Sequence, residues 1–169
     1  MSVQIHPTAL VSPKAEIADG AVIGAFCIVD EAVKIGRGTV LRPYVHVCPN
    51  TSIGEDSVIY ENVTLGPAPQ DHSFANEESW TVIGNRTTIR ESVTVHRASG
   101  EGNVTSVGDD CLIMEGVHVA HNVKLGDKVT ISSKCGLAGY VQVGTGTVLG
   151  GMSGFHQFVR IGCYCMIGG

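Results

Sequence analysis

The sequence predicts an all-β fold, a parallel β-helix wound from six-residue steps, and three observations carry that prediction. Aliphatic side chains recur every six residues from Ile5 to Ile167; of the 28 positions in this series 24 are aliphatic and one is Phe155. Only Asp71, Glu77 and Glu101 interrupt it. Two residues before each aliphatic stands a small or β-branched residue, from Ala9, Ala15, Ala21 and Cys27 on to Val159 and Cys165. The position just after the aliphatic is often glycine, as at Gly24, Gly36, Gly54, Gly84, Gly108, Gly126 and Gly144. A period of six matches neither the 3.6 of a helix nor the alternation of a long strand. It fits short strands, each followed by a bend, stacked in parallel ladders about 4.8 Å apart. Glycine at such a corner is expected to supply positive φ and to let neighbouring backbone approach closely.

Composition agrees with a narrow, repetitive core. The 169 residues suffice for one domain. With 22 Gly and 5% aromatic residues, the interior must be built from Val, Ile, Leu and small side chains. A net charge of −5 leaves no excess of cations to displace the counterions of a nucleic acid, so no nucleic-acid partner is expected. MSVQIHPTAL has neither the basic flank nor the apolar stretch of a signal peptide. No run of about 18 apolar residues exists to form a transmembrane segment, and a cytoplasmic location is expected. Cys27, Cys111, Cys135 and Cys165 occupy the small position of the repeat and read as buried hydrophobes. Cys163 and Cys165 lack a second pair at zinc-ribbon spacing. Neither a metal nor a cofactor is expected.

The repeat resembles that of the hexapeptide-repeat family. The resemblance implies a left-handed, three-sided prism with about 18 residues per coil; the ordinary crossover rule would favour the opposite hand. Residues 5 to 167 then make about nine coils. Each coil buries three aliphatics at roughly 1.5–3 kcal/mol apiece, and stability should approach a sum over neighbouring coils.

Two stretches break the pattern. Residues 66–82 include GPAPQDHSFANEESW, whose prolines and acids do not suit a coil interior, and residues 97–106 replace one further hexapeptide. Both are expected to leave the prism as loops, and long loops on rigid scaffolds are usually functional. Residues 1–169 therefore read as one repeat domain with two loops. The chain stops at Gly169, just inside a repeat. Solenoids normally cap such an end, so either a longer native chain or another cover over that end is expected.

At 18 residues per coil, His121, Gly139 and Gln157 stack on one edge, flanked by Tyr140 and His156, with His118 on the adjoining stretch. This polar file is the candidate site. His118-x-x-His121 with His96 or His156 offers imidazoles for zinc, but the spacing does not match the His pair that carbonic anhydrases of this fold place five residues apart. No nucleophile elbow and no phosphate-binding glycine loop is present.

The stretches VTLGPAPQD, TTIRESVTVHRAS, MEGVHVAHNVKLGD, LAGYVQVG and GGMSGFHQFVRIG resemble the UDP-N-acetylglucosamine O-acyltransferases that begin lipid A synthesis. IRESVTVHR and GGMSGFHQF are the more specific; VAHN and CYCMIGG are shared with the lipid A N-acyltransferases, which remain an alternative. A catalytically weak repeat scaffold is a second. The resemblance implies a homotrimer that moves a (3-hydroxy)acyl chain from acyl carrier protein to the 3-position of a UDP-amino-sugar. His121 would be the general base, Asp71 would orient it or the sugar hydroxyl, and the Gly139 N–H would hold the oxyanion. Gln70, Ser73, His118, Tyr140, His156 and Gln157 would contact substrate, and Gly169 would limit acyl length. Asp71 is expected to reach His121 of a neighbouring subunit. The chain departs from the family at His72-Ser73, where Leu-Lys is usual, at Tyr140, where His is usual, and in having no C-terminal helical region.

Overall fold

In a computed structural model, which describes residues 2–169, the chain forms 25 short parallel strands in three sheets. The result is a left-handed, three-sided β-helix. The first face has nine strands, from Gln4–Ile5 to Met166–Ile167. The second has eight, from Leu10–Val11 to Gly154–Phe155, and the third has eight, from Glu16–Ile17 to Arg160–Ile161. Each strand pairs with the strand one coil away, as Leu112 with Thr130 and Ile113 with Ile131. The last residue of each strand points inward. Ile23, Leu41, Ile59, Ile89, Ile113, Ile131 and Leu149 form one buried column, with Cys27, Val33, Val63 and Cys135 packed between columns. Ile5 is half exposed because no coil stacks beneath it.

Eight complete coils and one rung of a ninth are present, fewer than the nine full coils the length suggests. The difference lies in the excursions. Leu65 to Ile83 and Val95 to Val107 each advance the chain by only one face, so together they take up one coil's worth of residues. Both loops are also shorter than the sequence suggests. The chain rejoins the third face at Trp80 and at Val104, in four-residue strands that pair Trp80 with Val104 and Ile83 with Val107. Thr81 and Ile83 turn inward while Val82 faces out, so pairing resumes before the six-residue period does.

Of the two reasons expected for the corner glycines, close backbone approach holds and positive φ does not. Positive φ falls three residues after the aliphatic, at Phe26, Ala32, Tyr44, Asn50, Asp56, Asn62, Tyr140 and Phe158. Gly36 has no positive φ, but a Cβ there would lie 2.5 Å from the Gly54 carbonyl carbon on the next coil. Close approach of stacked backbones therefore selects glycine after the aliphatic.

Candidate active site

Both loops, His121, Gly139 and Gln157 lie on one edge of the prism, where the second face turns into the third. The loops leave from consecutive coils and are tied to each other. Glu77 accepts from the Gly100 N–H at 2.6 Å and the Ala75 N–H at 2.7 Å, and Glu101 accepts from the Glu78 N–H at 3.0 Å. His96 donates from Nδ1 to the Ala68 carbonyl at 2.8 Å, and the Arg97 N–H donates to Pro67 at 3.1 Å. Arg97 also lies over the Phe74 ring at 5.0 Å.

The second loop in turn fixes His121. Asn122 donates from Nδ2 to the Ser99 carbonyl at 3.0 Å, and its Oδ1 accepts from the Ser99 N–H at 2.9 Å. The same Oδ1 lies 2.9 Å from His121 Nδ1. An acceptor opposite Nδ1 requires that nitrogen to carry the proton, so in the neutral ring Nε2 presents its lone pair. Nε2 faces Asp71 Oδ2 at 4.0 Å, within the same chain. The expectation that Asp71 serves a neighbouring subunit is thereby corrected: the first loop folds back over the edge of its own prism, where the second loop holds it.

Asp71 is held in turn by Ser73, whose N–H and hydroxyl both donate to Oδ1 at 2.9 Å. The Ser73 N–H first, then its hydroxyl, keep the Asp71 carboxyl below the ordinary carboxylate range. Gly139 lies directly under the imidazole: a Cβ there would sit 2.5 Å from His121 Cε1 and 2.6 Å from Nε2. Tyr140 meets the His121 ring edge to face at 5.4 Å and stacks on Phe158 at 4.9 Å.

A groove of about 630 Å³ opens beside His121, lined by Gln70, His96, His118, Gly139, His156 and Gln157 over a floor that includes Gly136 and Gly154. The floor is smooth because Gly136 and Gly154 sit at the outward strand position on successive coils, with nothing within 4 Å of where a side chain would stand. His96 and His118 approach each other at 5.0 Å. Burial pushes both imidazoles down, against the Ala68 bond in His96 and reinforced by His96 in His118.

Of the residues singled out in the sequence, His121, Asp71, Gly139, Gln70, His118, His156 and Gln157 come together here, with Tyr140 at their side. Asp71 and Tyr140 meet His121 without lining the groove, and two others do neither. Ser73 is spent on Asp71, and Gly169 sits over Gly151, where an added Cβ would fall 2.6 Å from the Gly151 carbonyl oxygen, at the edge where the first face turns into the second. Ser99 and Asn122 are parts of the arrangement that sequence reasoning missed, and His96 entered it only as an imidazole for zinc. The Asn beside His121 in VAHN was the available signal for one of them.

The description Bacterial transferase hexapeptide (six repeats) matches residues 32–67 and 105–139. An acyl-[acyl-carrier-protein]--UDP-N-acetylglucosamine O-acyltransferase of Thermodesulfovibrio yellowstonii is 47% identical over 123 residues. The chain belongs to the hexapeptide-repeat transferase family. That relative is matched over 72% of this chain and 48% of its own length, and one from Psychrobacter, of the same name, is 42% identical over 70% and 46%. The chain thus spans about half the length of these members of the family. Among solved family structures, LpxA from Acinetobacter baumannii superposes with a TM-score of 0.96 at 40% identity, covering 98% of this chain and 64% of that one. The UDP-N-acetylglucosamine O-acyltransferase of Moraxella catarrhalis gives 0.95 at 41%, covering 98% and 65%.

Proposed function

We propose that this chain is the repeat portion of an acyltransferase that moves a (3-hydroxy)acyl group from acyl carrier protein to the 3-hydroxyl of a UDP-N-acetylglucosamine-type sugar, the first step of lipid A synthesis. The observation that carries the reading is His121: its Nδ1 is committed to Asn122 and its Nε2 is left bare between Asp71 and a glycine-floored groove. A sugar hydroxyl is a poor nucleophile at neutral pH, and a positioned imidazole answers that need. In this scheme Nε2 takes the hydroxyl proton as the oxygen attacks the thioester carbonyl. The new C–O bond closes a tetrahedral intermediate, whose oxyanion accepts from the Gly139 N–H. Among the described residues no backbone carbonyl accepts from that N–H, so it stands ready as a fixed donor. The C–S bond then breaks, and the imidazolium returns its proton to the departing thiolate. Asp71 stabilises the imidazolium while it carries the proton.

Gly136 and Gly154 leave a trough wide enough for an alkyl chain, and His118, His156, Gln70 and Gln157 supply the polar groups that orient a sugar nucleotide. We read the working form as a cytoplasmic homotrimer, in which a neighbouring prism closes the open side of the groove. No helix among the described residues is long and apolar enough to cross a membrane. The test is a turnover assay on the full-length native protein with a panel of acyl carrier protein thioesters and UDP-sugars. Ester formation on UDP-N-acetylglucosamine supports the reading; transfer only to an amino-sugar, or to none, overturns it.

A further inference from the structure

The coil period brings a second cluster together, three coils from His118 on the same face. Val29 pairs with Val47 on the next coil, so the residues that follow them, Asp30 and Cys48, stand side by side on adjacent coils. His46, two residues before Cys48, leaves the strand on the same side. Asp30 Oδ2 lies 2.9 Å from His46 Nε2, and Cys48 Sγ lies 3.7 Å from that same nitrogen. All three donor atoms fall within 4.8 Å of one another.

We propose that Asp30, His46 and Cys48 form a binding site for one divalent transition-metal ion, Zn²⁺ by its donor set. A hydrogen-bond account of the cluster is incomplete. An Nε2 that donates its proton to the Asp30 carboxylate has no lone pair left to accept the Cys48 S–H, which leaves the thiol proton without a partner there. An ion at the shared point satisfies all three. A thiolate, an imidazole and a carboxylate are ordinary zinc ligands, with bonds of about 2.0–2.3 Å and therefore ligand separations of roughly 3.3–3.7 Å. The separations present need only small side-chain rotations to reach that range. Thiolate and carboxylate together balance the charge of the ion, and the half-exposed Asp30 and His46 leave the fourth position to water.

Among the described residues, Asp30 and Arg97 are the charged groups that act on Cys48, with His46 in contact. Burial, then the Asp30 carboxylate, pushes the thiol up to about 11, against Arg97. Metal uptake therefore releases the thiol proton to solvent, and binding should tighten as pH rises. The strands of His46 and His118 are three ladder steps apart, about 14 Å at the usual spacing. Metal loading can thus be read separately from acyl transfer.

The test uses the full-length native protein, reduced, stripped with a chelator and titrated with Co²⁺ and then Zn²⁺. We expect one Co²⁺ per chain with a thiolate-to-metal charge-transfer band, displaced by Zn²⁺. Cys48→Ser should abolish the band, and Asp30→Asn and His46→Gln should each weaken Zn²⁺ binding at least tenfold against a chromophoric chelator, with far-ultraviolet circular dichroism unchanged. A double Cys163→Ser, Cys165→Ser variant should keep the band. Absence of the band in the wild type, its survival in Cys48→Ser, or its loss in the double variant overturns the proposal.

Discussion

His121 is almost entirely buried, at 5% exposure, and every neighbour constrains it: Asn122 through Nδ1, Gly139 from below, Tyr140 at the edge. Replacing Gly139 by Ala should therefore act on the imidazole before it acts on the fold. The added methyl would drive the ring away from Asn122, and a displacement near 1 Å is worth about 10²-fold in rate. We expect kcat to fall by about that factor in Gly139→Ala with Tm nearly unchanged; a variant within threefold of wild type would show that the ring yields without consequence. His121→Ala should lower kcat by about 10²–10⁴-fold. Retention of about a tenth of the activity would remove His121 from the role. Ser73→Ala deletes one of two donors to Asp71, and should lower kcat while leaving KM for the sugar nucleotide in place. A Ser73 that contacted phosphate would give the reverse split.

At the scale of elements, the three residues that break the six-residue period prove to be fasteners. Asp71 organises the tip of the first loop, Glu77 binds the second loop to the first, and Glu101 returns the contact. Glu77→Ala should loosen both loops without unfolding the prism. Faster hydrogen exchange across 66–79 and 97–103, together with reduced kcat, is the expected outcome; protection unchanged from wild type would show that Glu77 is dispensable. The His96 anchor adds a pH dependence. Burial depresses the His96 and His118 imidazoles, so the unfolded chain takes up protons more readily than the folded one. The stability they contribute is fully present above the unfolded value, about 6.5, and is lost as pH falls from there through the folded values. Tm should hold steady above neutrality and decline below it, and the decline should be shallower in a His96→Gln, His118→Gln double variant. An equal slope in both proteins would assign the loss elsewhere.

For the whole molecule, stability follows from stacking. Each coil buries its side chains only against the coils above and below it, as in other solenoids. Ile131, fully buried in the first-face column, sits where neither neighbour can collapse into a void. Ile131→Ala should cost about 2–5 kcal/mol by lost transfer energy and the remaining cavity, measured by urea unfolding. A loss under about 1 kcal/mol would mean that the column is not close-packed there.

The sequence by itself determined the all-β solenoid, its inward column and the edge on which His121, Gly139 and Gln157 stack. One pattern, repeated every six residues, sets the rungs and their inward side chains; the resemblance to hexapeptide-repeat proteins implied the hand and the 18 residues per coil, and residues one coil apart are then neighbours. What it could not determine lies where the period stops. The depth of the two loops, and so the number of coils, depended on where backbone pairing resumed, at Trp80 and Val104. Whether Asp71 met its own His121 or another depended on Glu77, Ser99 and Asn122 acting across loop and coil. Likewise, the glycines after many of the aliphatics were legible as a pattern, but the sequence could not separate close backbone approach from positive φ as their cause, because the clash they avoid is with backbone one coil away. Contacts of that kind join residues whose separation carries no period, and only the folded chain brings them within reach of one another.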